Sequence, residues 1–276
     1  MKIATWNINS VRTRIGLLQD YLREVSPEFM CLQEIKCMNQ DFPFAEIEQA
    51  GYKAYVSGQK AYNGTAILTK SELSEVLTAL PDSAEAEGLA AGENPQARFT
   101  AGLTKYGFYI ISVYVPNGNP PLKQPESKEK LVYKLKWFDC LHKYLKGLKE
   151  AEKPFIICGD FNVIIEDTDV YNPDNYRTNA LMLPEVRTKL DEIAKDLDLL
   201  NTFKTLHKGE THLYSFWDYT MRCWEKNHGM LIDDIFMCGF KESALLNALI
   251  DKDMRAKEKP SDHVPLQIEI TDLKKI

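Results

Sequence analysis

The sequence contains no Cys-x-x-Cys pair, no His-Glu-x-x-His stretch and no paired Cys/His spacing. That argues against a zinc site. It also lacks the phosphate-cradling GxxxxGK[ST] loop and the G-x-S-x-G elbow of serine hydrolases. Its six cysteines (Cys31, Cys37, Cys140, Cys158, Cys223, Cys238) are scattered through a chain too long to need stapling, so reduced thiols are expected. No apolar run is long enough to span a bilayer. The opening "MKIATWN" runs straight into a strand pattern with no signal-peptide core. These absences lead us to expect a soluble, cytoplasmic protein with no membrane partner. A basic excess is missing too. The formal net charge is −6 and the pI about 5.5, which argues weakly against nucleic acid as a partner. Acidic residues that hold cations would account for part of that excess.

What is present is ordinary globular material: 276 residues, 44% hydrophobic, enough for a large core. Residues 2–8 and 28–32 read as buried strands. Between them Ile15, Leu18, Leu22 and Val25 fall at helical spacing, so the chain opens β-α-β. A short helix closed by Gly51, two strands through "YKAYVSG" and "GTAILTK", and a hairpin turning near Tyr106-Gly107 follow. Residues 116–127 form a loop. The next helix carries Leu131, Leu135, Phe138, Leu141 and Leu145 on one face. After "FIICGDFN" comes a polar stretch from Glu166 to Arg177, then a helix opened by Pro184 and late strands at 231–238 and 264–270. There is no repeat and no low-complexity linker. The pattern alone indicates one α/β domain, residues 1–276, with a mixed sheet.

Acids recur where apolar runs stop. Glu34 follows "FMCL" and Gln33, Asp160 follows "FIIC" and Gly159, Asp233 follows "MLI", and Asp262-His263 precede "VPLQIEI". Asn7 and Asn9 close the first strand. If those ends share one rim, the carboxylates repel unless a counter-charge joins them. A hard divalent cation with oxygen ligands, Mg²⁺ or Mn²⁺, is the natural neutraliser. Taken singly, an acid such as Glu34 or Asp233 is more often a polar strand end than a ligand, and a pair such as Asp262-His263 more often a turn or cap than a catalytic dyad.

The segments "ATWNINSVRTR", "CLQEIK", "GYKAYVSGQKAYNGTAILTK", "VYVPNG", "GDFN", "SFWDY", "LIDDIFM" and "KPSDHVPL" together resemble the exonuclease III and AP endonuclease family, in that order and from Lys2 to about Ile270. The resemblance implies a four-layer α/β/β/α sandwich, two mixed sheets flanked by helices. It implies a Mg²⁺-dependent DNA repair nuclease, with Mn²⁺ as substitute. Such an enzyme hydrolyses the phosphodiester 5′ to abasic sites and removes nucleotides or blocking groups from 3′ ends of duplex DNA, as a monomer. Alternatives stay open: a related phosphoesterase acting on RNA, a nucleotide or a phosphoinositide, or a catalytically weak DNA-binding homologue.

Carried over by residue, Glu34 resembles the main metal ligand, with Asn9 and Asp262 near the metal. Asn7 would orient Asp160, which resembles the residue that activates water, with His263 as the alternative base. Asn162 and Tyr114 would hold the phosphate, and Asp233 would orient His263. Phe216, Trp217, Met230 and Ile232 match the pocket for an abasic sugar. Arg12, Arg14, Lys60, Arg98, Lys123, Arg177 and Arg222 are candidate DNA contacts, Arg12 and Arg98 foremost. Leu231, Asp234 and Asn201 depart from the pattern, where relatives commonly carry Arg, an apolar or aromatic residue, and Asp.

Overall fold

A computed structural model describes residues 1–88, 95–120 and 122–271 of the chain. β1 (Lys2–Asn7) is buried at every position but the first. It leads through helix α1 (Ile15–Glu24) into β2 (Phe29–Gln33), which pairs with it in parallel. Helix α2 (Phe44–Gln49) and strands β3 (Lys53–Ser57) and β4 (Thr65–Thr69) follow. The second half repeats the device. After β5 (Ser74–Leu77), α3 (Ser83–Glu87) and β6 (Phe99–Leu103), strand β7 (Tyr109–Tyr114) crosses through α4 (Glu129–Glu150) into β8 (Phe155–Asp160), again in parallel. Helix α5 (Pro184–Asp196), β9 (Leu200–Asn201), α6 (Thr202–Leu206), β10 (Asp233–Cys238), β11 (Leu245–Ile250) and β12 (Leu266–Ile270) complete the order.

The strands form two six-stranded sheets, β11-β12-β1-β2-β4-β3 and β5-β6-β7-β8-β10-β9. Each is mixed, because one parallel pair sits among antiparallel neighbours. Alternation along β8 explains the layering. Ile156 and Cys158 join the cluster that contains the first sheet, whereas Phe155 and Ile157 face Trp137, Phe138 and Leu141 of α4 and Val186 and Leu190 of α5. Leu18, Leu22 and Ile47 seat α1 and α2 against the first sheet. Polar bonds cross between the sheets as well: Gln33 Nε2 donates to Ser112 Oγ at 3.0 Å, and Thr65 and Thr100 hydroxyls pair at 2.7 Å.

The sandwich is therefore the one implied by the family resemblance. The single mixed sheet read from pattern alone is corrected, because hydrophobic period identifies a strand but not its sheet. The hairpin turns at Gly107, φ +85°, as expected. The loop expected at 116–127 includes Pro121, which lies outside the described residues. β11 escaped the pattern because Leu246 and Leu249 point outward on an edge strand and break the alternation. All six cysteines are free. Among the described residues, no helix is long and apolar enough to cross a membrane.

Candidate active site

Both parallel pairs end at one rim. Asn7 closes β1, Gln33 closes β2 and Glu34 follows it; Tyr114 closes β7 and Asp160 closes β8. Asp233 opens β10 directly opposite Asp160 in register. His263 lies three residues before β12. Sequence separations of up to 256 residues thus collapse to side-chain distances, at the carboxyl ends of the parallel strands where open α/β sheets place their sites.

At the rim, Asn7 links the two sheets. Its Nδ2 donates to Glu34 Oε1 and to Asp160 Oδ2, each at 3.0 Å. Asp160 is 2% exposed. Burial, with Asp233 and Glu34 nearby, raises its pKa well above the carboxylate range, although His263 pulls the other way. Burial would lift Glu34 too, but Lys36 and the Asn7 amide outweigh it and hold its pKa down. Lys36 Nζ sits 2.6 Å from Glu34 Oε2 and 2.6 Å from Asn9 Oδ1. Asn9 Nδ2 in turn donates to Asp262 Oδ1 at 3.0 Å.

His263 Nδ1 is held 2.8 Å from Asp233 Oδ2, which also accepts from Ser215 Oγ at 2.6 Å. Nε2 is left 3.8 Å from Asp160 Oδ2. Burial disfavours the imidazolium, yet Asp233 with Asp160 and Asp262 raises the pKa of His263 above its usual value. Tyr114 is pushed far above the ordinary phenol range by burial, Glu34 and Asp160, so its hydroxyl stays a donor. The Arg98 guanidinium lies over the Tyr114 ring at 4.6 Å and bonds the Tyr114 carbonyl. Asn162 takes left-handed φ, +50°, and its backbone N–H caps Asp160 Oδ1 at 2.9 Å. One Nδ2 hydrogen goes to Val115 O, and Oδ1 accepts from Asn117. Asn9, Ser10, Glu34 and Lys36 are also left-handed, a concentration of backbone strain at the rim.

The expected pocket residues divide. Half-buried Phe216 packs edge-on against His263, centroids 4.9 Å apart, and Met230 bridges to it. Met230 and Ile232 belong to a small apolar cluster with Val170, Leu181 and Met182. Trp217 is corrected: it has no exposed surface and is a core residue, with Tyr214 and Trp224 against its ring and Nε1 on Asn227. Among the cations, Arg12, Lys60, Lys123 and Arg222 are exposed. Arg14 is spent on Tyr219 and Pro260, and Arg177 on Asp167 and Asp174. The departures compensate each other, because Asn201 Nδ2 donates to the buried Asp234 at 2.9 Å. Leu231, 2% exposed, lies in the core.

Sequence reasoning missed Lys36, Ser215 and Ser261. The last bonds Asn7 O and the His263 N–H. All three lie inside the quoted segments "CLQEIK", "SFWDY" and "KPSDHVPL", so the signal was position within a motif.

The donor set suits a cation. Ligand atoms of Asp160, Asp233 and His263 lie within 4.8 Å of one another. Asp233 Oδ1 is buried with no hydrogen-bond partner, and Glu34 already holds a cationic group. With the imidazole paired to Asp233, it is the carboxylate and amide oxygens of the rim, Glu34, Asn9 and Asp262 among them, that fit a hard divalent ion.

Comparison with known proteins agrees with this fold. An exodeoxyribonuclease III of Haemophilus influenzae is 30% identical over 98% of this chain and 99% of its own length. An AP endonuclease structure from Archaeoglobus fulgidus superposes with TM-score 0.88 at 30% identity, covering 99% of this chain and 100% of that one. So does a 3′ phosphatase from Neisseria bound to product DNA hairpin, with the same TM-score, identity and coverage. The model of the Endonuclease/Exonuclease/phosphatase family matches residues 4–263. The chain belongs to that family.

Proposed function

We propose that the protein is a Mg²⁺-dependent DNA repair nuclease. It would hydrolyse the phosphodiester 5′ to abasic sites and remove nucleotides or blocking groups from 3′ ends of duplex DNA. The observation that carries this reading is the shared rim, where Asn7 joins Glu34 of one sheet to Asp160 of the other beside the Asp233–His263 pair. The names of the relatives, an exodeoxyribonuclease, an AP endonuclease and a DNA-bound 3′ phosphatase, support DNA as the substrate.

In this reading Glu34 is the main ligand of the ion, with Asn9 and Asp262 beside it. The bound ion supplies neutralisation of the phosphate and of the departing 3′ oxygen. Asp160 is oriented by Asn7, and its raised pKa makes it a competent acceptor of the water's proton near neutrality. His263 is held as a cation by Asp233, so its Nε2–H faces the phosphate as a donor rather than as a base. The second Asn162 Nδ2 hydrogen and the Tyr114 hydroxyl complete the oxyanion contacts. Phe216, Met230 and Ile232 form the apolar wall against an extruded abasic sugar, and Arg12 and Arg98 meet the backbone. The site draws on both sheets, so the whole chain acts as one domain, here taken as a monomer. Six free thiols suit the cytoplasm.

The test incubates the protein with an abasic-site duplex and a blunt or nicked duplex, with Mg²⁺ and with chelator. Incision 5′ to the lesion and 3′ shortening are expected with Mg²⁺ alone, and their ratio measures the activity balance. Cleavage of a phosphoinositide at a dose that leaves the abasic duplex intact would overturn the reading.

A further inference from the structure

Lys134, on α4, is completely buried and is among the largest such side chains of the described residues. Its neighbours on that helix, Trp137, Phe138 and Leu141, are apolar core. Among the described residues the ammonium makes no ion pair. Its three N–H groups go instead to three backbone carbonyls: Asn162 at 2.6 Å, Asn117 at 3.1 Å and Ala180 at 3.2 Å. These carbonyls belong to three separate segments, after β7, after β8 and before α5.

A lone buried ammonium is costly, and an apolar side chain of equal length would pack there without that cost. What the charge supplies is convergence. The Asn162 segment leaves β8 in a left-handed turn that no strand or helix ladder stabilises. Its carbonyl is the nearest of the three to Lys134, and its side chain meets Asn117, the second of them. The third segment is tied to the same group through Asn119, which accepts from Ala180 N and donates to Asn179. The lysine stem is tightly sheathed: a Cβ on Gly118 would lie 2.8 Å from its Cδ.

We propose that Lys134 is a positioning residue: it pins the Asn117, Asn162 and Ala180 segments from below and thereby sets the aim of Asn162 and the cap on Asp160. The inference rests on the nuclease reading of those two residues. Burial lowers the lysine's pKa to about 7, and the charge of Asp160 opposes that fall, so Lys134 lies close enough to the site to feel its charge.

The test is a double-mutant cycle on the full chain, Lys134→Met with Asn162→Ala, read by single-turnover incision of an abasic duplex with Mg²⁺. Lys134→Met should lower kcat about 30-fold or more and change KM less than about threefold. In the Asn162→Ala background it should cost almost nothing, because the lysine acts through Asn162. Lys134→Arg keeps the charge and should recover part of kcat. If Lys134→Met does not fold, Lys134→Arg takes its place in the cycle, with a smaller loss in the wild-type background and none beside Asn162→Ala. Hydrogen exchange should rise at residues 116–119, 161–164 and 179–182 and stay unchanged elsewhere. An equal loss in both backgrounds, or a Lys134→Met kcat within about twofold of wild type, would overturn the inference alone. A wild-type chain inert on DNA would remove the nuclease reading and this inference with it.

Discussion

Asp160 is buried between a carboxylate-rich rim and an imidazole, and its raised pKa follows from that burial. Asp160→Asn keeps the shape and the Asn162 cap but removes the proton acceptor. Turnover should fall by about 10³-fold or more, with abasic-duplex binding in gel shift nearly unchanged; near-normal incision would end the assignment. Asp234, which pairs with Gly159 on the neighbouring strand, behaves differently. Burial raises its pKa to about 8, with Asn201 opposing and Asp169 adding to the rise. The folded state therefore keeps a proton that the unfolded chain releases near pH 4. Stability from this group is fully present below that pH and is lost as pH rises towards 8. Asp234→Asn, which can still accept from Asn201, should gain on wild type in Tm across that window and hold a constant lead above it. A difference in Tm independent of pH would refute the shift. Which side chains meet at the rim was legible in short motifs, because GDFN and PSDH each carry polar groups next to apolar anchors. What Trp217 does was not. An aromatic beside Phe216 reads alike as pocket or core, and only packing against Tyr214 and Trp224 separates the two.

Strand β8 shows why the rim can be built at all. Gly159 lies inside it at φ +151°, and a Cβ there would stand 1.9 Å from the Val113 carbonyl of β7. The absent side chain lets the parallel pair close tightly one residue before Asp160. Gly159→Ala must push backbone, not a flexible tip, so it should cost about 3 kcal/mol or prevent folding. Urea unfolding measures this, and a midpoint within error of wild type would show that β7 and β8 are not held as described. From the sequence, Gly159 reads only as room for a turn after the strand. Strand alternation would put Asp160 and Asn162 on one face, but it does not extend that far. The strand ends at Asp160, and Asn162 returns to the rim through a left-handed turn. Phe161 does point into the helix-side core, against Phe236. Buried strands were legible because both faces are covered and the runs are continuously apolar. Their assignment to two sheets was not, since partner choice depends on contacts far apart in the chain.

The two sheets meet at a seam whose upper edge is acidic. Asn7 alone spans from Glu34 to Asp160 by hydrogen bonds, and Asp233 lies opposite in register. A chain of formal charge −6 gains nothing overall from concentrating carboxylates there. Net charge is a poor guide to partners because it averages over the surface, whereas Arg12, Lys60, Lys123 and Arg222 are exposed and present local positive charge. In the proposed reading a divalent ion is the counter-charge of this seam, held from the first sheet by Glu34, Asn9 and Asp262 with Asp160 and Asp233 of the second sheet facing it. Binding confined to the folded state raises stability by roughly 2.7 kcal/mol at about one hundred times Kd. In a chain of this length that is a rise in Tm of about 5 °C. Mg²⁺ or Mn²⁺ should produce it in the DNA-free protein, chelator should reverse it, and NaCl at matched ionic strength should not reproduce it. Glu34→Gln should abolish most of the rise, since it removes the charge of the main proposed ligand without emptying space. If the metal response survives Glu34→Gln but vanishes in Asp233→Asn, the ion belongs with Asp160, Asp233 and His263 instead. A melting curve indifferent to every divalent ion would mean that Lys36 already supplies all the counter-charge the seam can use.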